Sequence, residues 1–274
     1  MTSPSPLGRS IIAAICAGAA GAMCLAAPQT KAPTADQLIA KVLDARETSG
    51  FRIRAKLVRT GPTADAKVTR QLLIRGRHDG AGTTVSYQVI WPKDAAGRAV
   101  VVKDNGDHHP TGFVYDGKTT SPLSKPALGA PLFDSDLRVE DVLENFWYWP
   151  THALANEEVL DKRRCKWMEF RPEPTTPTAY SKVRVCVAQD LAVPLRIDLF
   201  GADGALAKQV TSDRLVRRDN HWLVGSVTVT PADHRTQTML EGSQYEEDLQ
   251  IPESEFTVDA IVNFGKTLGR GGWN

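Results

Sequence analysis

Short segments of alternating apolar and charged residues, separated by glycine-containing turns, constrain the fold of this chain more than any other feature. Residues 51–57 alternate apolar and basic side chains, and Leu195, Ile197 and Leu199 alternate with charged neighbours in 193–200. A period of two is typical of a strand with one buried face. Because such segments follow one another directly, they predict an antiparallel meander. The further predicted strands are 68–75, 83–91, 98–104, 111–115, 165–170, 180–187, 205–216, 221–230 and 234–245, with a final edge element at 251–256.

Two amphipathic helices accompany the predicted strands. The first repeats apolar residues at helical spacing over 38–43, and Thr34 or Asp36 could cap it. The second runs over 137–148. The expected fold class is therefore α+β, mainly β, with a single curved antiparallel sheet. The two helices can cover its concave face only in part, which leaves room for an apolar ligand.

Composition excludes several classes of protein. The chain has 274 residues, of which 42% are hydrophobic, which is enough to form a core and excludes wholesale disorder. The net charge is +1, so no overall field favours nucleic acid, and no nucleic-acid partner is expected. The single long apolar run lies at the N-terminus, which excludes a membrane protein with many spans.

The first thirty residues have the pattern of an export signal. They contain no acidic residue and a single basic one, Arg9, ahead of an apolar stretch and a small-residue site. This pattern predicts a signal peptide at 1–27 and export of the protein, followed by a linker at 28–36. Two alternatives stay open, an uncleaved anchor and lipidation at Cys24. Lipidation is disfavoured because Met23 is not small.

Two cysteines remain after removal of the signal peptide, Cys165 and Cys186. They lie on two predicted strands of one hairpin, and export places them in an oxidising compartment. A symmetric register that sets the cysteines opposite each other also pairs Glu169 with Lys182. The sequence therefore predicts a structural disulfide that stabilises by about 3 kcal/mol. The alternative, a reactive thiol pair, usually has a Cys-x-x-Cys motif, which the sequence lacks.

The sequence contains no recognised catalytic or metal-binding motif. It has no HExxH, EF-hand or Gly-x-Ser-x-Gly pattern. His108 and His109 are adjacent in a turn-rich stretch, and they are better explained as a solvated loop than as metal ligands. The expected protein is therefore not an enzyme and carries no metal or cofactor.

Four consecutive aromatic residues, Phe146 to Trp149, end the second predicted helix. They could anchor that helix in the core. The alternative is that they form a lid or mouth for a lipid chain, because tryptophan and tyrosine suit a boundary between an apolar interior and water.

The order of these features resembles the outer-membrane lipoprotein-sorting protein family, the LolA-like group. The resemblance covers roughly residues 35–262. Its most specific parts are the segment from Ser135-Asp136 to Asp141, and a strand, Asp203-Gly204 turn and strand that ends in Lys208. The chain is longer than a minimal lipoprotein carrier.

The resemblance implies an unclosed antiparallel barrel at 37–264, with helices on its concave side. The glycine-rich end of the sequence predicts a flexible tail at 265–274. It implies an apolar cavity that carries acyl chains towards the outer membrane. The implied partners are acylated lipoprotein or lipid cargo, with an inner-membrane donor complex and an outer-membrane acceptor as possible further ones.

We expect the acyl chains to be buried by inward-facing side chains and released when a helix moves. The alternative is an exported interaction or scaffold protein whose barrel is filled by its own side chains and binds no lipid. The candidate lipid-binding residues are Ile53, Leu57, Leu72, Ile74, Tyr87, Val89, Leu143, Phe146, Trp147 and Trp149.

Overall fold

The computed structural model describes residues 33–45, 48–79, 82–104, 109–218 and 221–270. The predicted signal peptide, Cys24 and His108 lie outside these residues, as does most of the predicted linker.

Strands form most of the described chain. All thirteen belong to one antiparallel sheet that does not close into a barrel, as predicted. They are β1 (Gly50–Thr60), β2 (Val68–Asp79), β3 (Gly82–Trp91), β4 (Ala99–Asp104), β5 (Thr111–Tyr115), β6 (Thr120–Pro122), β7 (Thr151–Leu160), β8 (Arg163–Arg171), β9 (Tyr180–Ala188), β10 (Val193–Gly201), β11 (Leu206–Arg218), β12 (His221–Pro231) and β13 (Gln237–Glu246).

The strand order places the first and last strands side by side at the centre of the sheet. From one edge to the other the order is β6-β5-β4-β3-β2-β1-β13-β12-β11-β10-β9-β8-β7. Strands that follow one another in the sequence pair with each other, except β6 and β7, which form the two edges. The strands β1 and β13, from the two ends of the sequence, pair at the centre. Residues 123–150, which we call the strap, connect the two edge strands β6 and β7.

Four α-helices accompany the sheet in the described residues: α1 (Ala35–Asp44), α2 (Lys125–Leu128), α3 (Val139–Leu143) and α4 (Val258–Arg270). Thr34 caps α1, and the side chain of Gln37 accepts from the Thr34 amide at 2.9 Å, which completes a capping box. Helices α2 and α3 lie within the strap.

The second predicted helix is not continuous, so that prediction was wrong in extent. Glu144 adopts a left-handed conformation, with φ 48°, and separates α3 from a 3₁₀ helix at Asn145–Tyr148. The Trp147 indole donates a hydrogen bond to the Glu144 carboxylate at 2.9 Å, which stabilises this reversal. Helical periodicity over 137–148 therefore arose from two short helices that face the same core.

The C-terminal region also differs from expectation. The segment predicted as an edge strand forms a 3₁₀ helix at Glu253–Phe256, which leads into α4. Residues 265–270, which were assigned to a flexible tail, are helical. The edge strands β6 and β7 were not predicted; β6 has only three residues, and the middle of β7 is polar.

Apolar side chains alternate between the two faces of the sheet. On β8, Met168 and Phe170 belong to the large core of the concave face, whereas Cys165 and Trp167 belong to a smaller cluster on the convex face. Helix α1 and the strap cover the concave face, where Leu38 and Val42 of α1 join the core. Helix α4 covers a third cluster around Val101 and Ile261.

The predicted disulfide is present between Cys165 and Cys186, with a Cα–Cα distance of 5.4 Å. The predicted register was wrong by two residues, because Trp167, not Cys165, lies opposite Cys186. The disulfide is therefore diagonal across β8 and β9. Glu169 and Lys182 still contact each other, at 3.8 Å.

Candidate functional site

A cavity of about 340 Å³ lies between the strap and the concave face of the sheet. Its walls are mainly aliphatic and come from both halves of the sheet, with Val142 and Phe146 of the strap opposite them. Its polar groups are few, and they include Asp141 and Glu144 of the strap. The apolar strand residues of the wall include Ile53, Ala55, Ile74, Ile197, Leu199, Val210, Val227 and Leu240.

All ten sequence-predicted residues belong to the concave core or pack against it, but they do not form one site. Four of them line the cavity: Ile53, Ile74, Tyr87 and Phe146. The fully buried Leu57, Leu72 and Val89 fill the interior away from the cavity wall. Leu143, Trp147 and Trp149 line two other spaces around the strap.

The sequence analysis missed the cavity wall formed by β10 to β13. Ile197 and Leu199 of this wall were visible as alternating apolar residues. Without the strand order, however, nothing in the sequence showed that β10 to β13 face the strap together with β1 and β2.

Asp136 is the first of three carboxylates that attach the strap to the sheet. It accepts hydrogen bonds from the Thr236 hydroxyl at 2.7 Å and the Thr238 hydroxyl at 2.8 Å. Arg59 of β1 adds an ion pair at 3.2 Å. These partners join the strap to β1 and the start of β13.

Asp141 is the second attachment, and its side chain is only 2% exposed. Lys208 of β11 donates to it at 2.8 Å, and the Arg138 amide donates at 2.7 Å. The Tyr180 hydroxyl donates to its other oxygen. Burial, together with the negative charge of Asp141, raises the pKa of Tyr180, which keeps the phenol protonated as a donor.

Asp134 is the third attachment, and it ties the strap to β2 and to the residue that precedes β4. Arg98 donates to it at 2.6 Å and Arg70 at 3.0 Å. The hydrogen bond from Arg98 is the main cause that lowers the pKa of Asp134. Phe133 and Asp134 both have positive φ, at 51° and 68°, so the chain reverses tightly at this contact.

Three of the four consecutive aromatic rings anchor the strap in the core. Phe146 lies 5.1 Å from Trp147 and 5.6 Å from Phe170, measured between ring centroids. Trp149 is also buried, whereas Tyr148 is 44% exposed. Phe146, Trp147 and Trp149 therefore anchor the strap in the core, and Phe146 also contributes to the cavity wall.

A second, more polar depression of about 380 Å³ lies outside the cavity, next to Tyr148 and the end of α1. Phe51 and Glu144 line both the cavity and this depression, so they form the partition between the two. Arg77 and Thr83 are among its polar residues.

A family model described as "uncharacterized protein" matches residues 85–263, more than half of the chain. The chain belongs to this family. No protein among the curated sequences matches the chain.

The chain shares its fold with solved structures described as a lipoprotein-sorting protein domain and as a LolA superfamily protein, as the resemblance implied. A DUF1329 family protein from Desulfovibrio piger shares 20% identity and has a TM-score of 0.76, covering 82% of this chain and 96% of that one. A putative outer membrane lipoprotein-sorting protein domain from Vibrio parahaemolyticus shares 16% identity and has a TM-score of 0.72, covering 82% and 97%. A LolA superfamily protein from Nitrosomonas europaea shares 18% identity and has a TM-score of 0.68, covering 83% and 99%.

Two further features are absent from the residues that the structure describes. These residues contain no group of three or more histidine, cysteine or acidic side chains placed to hold a metal ion. In the same part of the chain, none of the helices has the length and hydrophobicity needed to cross a membrane.

Proposed function

We propose that this protein is a periplasmic carrier or binder of lipoproteins or lipids and that it holds acyl chains in its cavity. The observation that supports this proposal is the largely aliphatic cavity of about 340 Å³ between strap and sheet. Ligand cavities commonly measure about 300–1,000 Å³. The fold is also shared with proteins described as lipoprotein-sorting.

The proposed mechanism is burial without covalent chemistry. Each CH₂ group transferred from water contributes about 0.8 kcal/mol, so ten of them contribute about 8 kcal/mol before the costs of binding. The protein needs no catalytic residue or cofactor for this work. Export by the predicted signal peptide would place it where lipidated cargo must cross an aqueous space, between a donor and an acceptor at the two membranes.

The alternative is a self-filled barrel that serves as an interaction surface. Part of the interior supports it, because Leu57, Leu72 and Val89 are fully buried by neighbouring side chains. This filling does not extend to the β10–β13 wall, where the cavity remains. A carrier therefore accounts for the interior better than a packed scaffold does.

A pair of substitutions on β13 tests the proposal. Leu240 lines the cavity, whereas its neighbour Met239 points to the opposite face of the sheet, since side chains alternate along a strand. We expect Leu240→Glu to weaken the binding of a fluorescent fatty acid at least tenfold, because a carboxylate in the cavity must be desolvated. Met239→Glu should bind like the unaltered protein.

The composition of the purified protein gives a second readout. Organic extraction of protein isolated from a periplasm, followed by mass spectrometry, should release a lipid or an acylated peptide. The Leu240→Glu variant should release less of it than Met239→Glu. Equal binding and equal lipid content in the two variants would contradict the carrier function.

A further inference from the structure

The central part of the sheet is split between β12 and β13. These two strands pair only over 226–229 and 238–241. Beyond these residues β12 continues to His221 in contact with β11, and β13 continues to Glu246 in contact with β1. We call residues 221–225 and 242–246 the β12–β13 split.

Bulges on the neighbouring ladders accompany the split. The register of β11 with β12 shifts on both sides of Arg214, and the register of β1 with β13 shifts between Arg54 and Ala55. Bulges bend a strand and increase its local twist. Because these bulges lie on the outer sides of β12 and β13, they explain why the two strands separate at the same level.

Side chains replace the missing backbone pairing at the split. Arg214 donates to the carbonyl oxygen of Gly242 at 2.7 Å and to that of Gly225 at 3.3 Å. The Tyr245 hydroxyl donates to the same Gly225 oxygen at 3.1 Å. Arg218 of β11 donates to the carbonyl oxygen of Tyr245 at 3.2 Å. Three side chains therefore connect the separated parts of the sheet where the ladder has ended.

Both glycines are needed for this arrangement. A Cβ atom at Gly242 would lie 2.0 Å from the Tyr245 hydroxyl oxygen, and one at Gly225 would lie 3.1 Å from the Arg214 guanidinium carbon. Glycine allows each bridging side chain to lie directly on the backbone of the split.

The split lies in the wall of the cavity. Gly225, Gly242 and Tyr245 all line it, as do Trp222 and Val224 on the separated part of β12. Only the bridging side chains, and not a continuous ladder, close the cavity wall here. Arg214 is 43% exposed and also contacts Glu241 at 3.5 Å, so solvent reaches one side of the bridge.

We propose that acyl chains enter and leave the cavity sideways through the β12–β13 split, and that Arg214 and Tyr245 control this passage. This inference rests on the proposed function. Opening the split breaks four side-chain hydrogen bonds and the contact of His221 with Glu247 at 3.6 Å, at a partly exposed site. Displacing the strap would break the buried contacts of Asp136 and Asp141 together, which costs more. A lateral passage also lets a bulky polar head stay outside while the chain moves.

Stopped-flow measurements with a fluorescent fatty acid test this passage. Arg214→Gln should raise the association and dissociation rates together by at least tenfold. Loss of one hydrogen bond from a charged group changes a barrier by about that factor, and Arg214 makes two. Arg214→Lys should accelerate exchange as well. One guanidinium nitrogen of Arg214 donates to both carbonyl oxygens, and the shorter lysine side chain keeps the charge but cannot place its nitrogen at that position. Wild-type rates in Arg214→Lys would show that charge, not bridging, matters, and would overturn the proposal.

Two further variants separate this route from others. Gly242→Ala displaces Tyr245 without altering Arg214, and it should also accelerate exchange. Arg59→Gln loosens the strap at Asp136 and should leave both rates within twofold of the wild-type rates. If Arg59→Gln accelerates exchange and the variants at the split do not, the passage lies under the strap and the proposal is overturned. If the unaltered protein binds no fatty acid or acylated peptide, the proposed function itself fails. If it binds and the variants at the split exchange fatty acid at wild-type rates, only the passage through the split is contradicted.

Discussion

The ammonium group of Lys208 lies 2.8 Å from a carboxylate oxygen of Asp141 and 2.8 Å from the backbone carbonyl oxygen of Asp136. Both side chains of the ion pair are buried, with 7% and 2% exposed. The pair connects β11 to the strap and joins the two sequence segments on which the family resemblance was strongest. It is therefore a central contact between the strap and the second half of the sheet.

Removal of one partner of this buried pair should destabilise the protein strongly. Lys208→Met leaves the Asp141 carboxylate buried without its cation, and we expect a loss of about 3–5 kcal/mol in the free energy of unfolding. Urea unfolding followed by tryptophan fluorescence measures this loss. Addition of Asp141→Leu to Lys208→Met should recover part of it.

The exposed pair of Arg52 with Glu246, at 3.4 Å, provides the matched control. Arg52→Met should cost no more than about 1 kcal/mol, because exposed ion pairs contribute little. Equal losses in Lys208→Met and Arg52→Met would contradict a structural role for the buried pair.

Loss of the disulfide should reduce stability but spare ligand binding. Replacement of Cys165 and Cys186 by serine removes a link across 21 residues, and we expect about 3 kcal/mol less stability from chain entropy. Both cysteines belong to the convex cluster, and neither lines the cavity. Fatty-acid affinity should stay unchanged at a temperature where the variant is folded, and a changed affinity would show that the hairpin shapes the cavity.

The contact between β7 and α1 should depend on pH through His152. A hydrogen bond to the Trp149 carbonyl, followed by one to Asp36 at 2.7 Å, raises the pKa of His152. Its protonated form therefore stabilises the fold below the unfolded pKa of about 6.5, and this stabilisation is lost as the pH rises through the higher folded pKa.

Melting temperatures measured across this pH interval check the sign of the effect. The unaltered protein should lose part of its advantage over His152→Gln as the pH rises. Asp36→Asn should weaken this pH dependence. An advantage that grows with pH would contradict the assignment.

Gly76 should not tolerate a side chain, because Phe51 lies directly over it. A Cβ atom at Gly76 would lie 2.2 Å from the Phe51 ring. Gly76→Ala must displace Phe51, which forms part of the partition between the cavity and the outer depression. We expect a loss of about 1–3 kcal/mol in stability and altered fatty-acid affinity, measured by urea unfolding and titration.

Gly129→Ala is the matched control, since its added Cβ would meet only ordinary contacts, at 3.8 Å and beyond. It has φ −78°, which any residue adopts. A similar loss in both variants would indicate a general cost of alanine and not displacement of Phe51.

Local pattern was sufficient to predict most of the strands, α1 and the pairing of the two cysteines. It failed where tertiary contacts determine conformation. The reversal at Glu144 depends on Trp147, and the middle of β7 has little apolar alternation. Helix α4 was missed because glycines at 265 and 269 obscure its pattern.

The candidate site was predictable only in part, for a related reason. Periodicity identifies which residues of a strand face the interior, so Ile53 and Ile74 were found. It does not identify which part of the interior other side chains leave unfilled. The β12–β13 split depends on the register of three ladders, and a bulge at Arg214 has no reliable pattern in one sequence.

The strap reaches from one outer edge of the sheet to the other, and its carboxylates bind strands of both halves. The sheet cannot flatten or widen while these contacts hold, because each half is tied to the same short segment. The amount of hydrocarbon that the molecule can enclose therefore has an upper limit fixed by the length of one connection. Lengthening that connection would be the most direct way to increase the capacity of the protein.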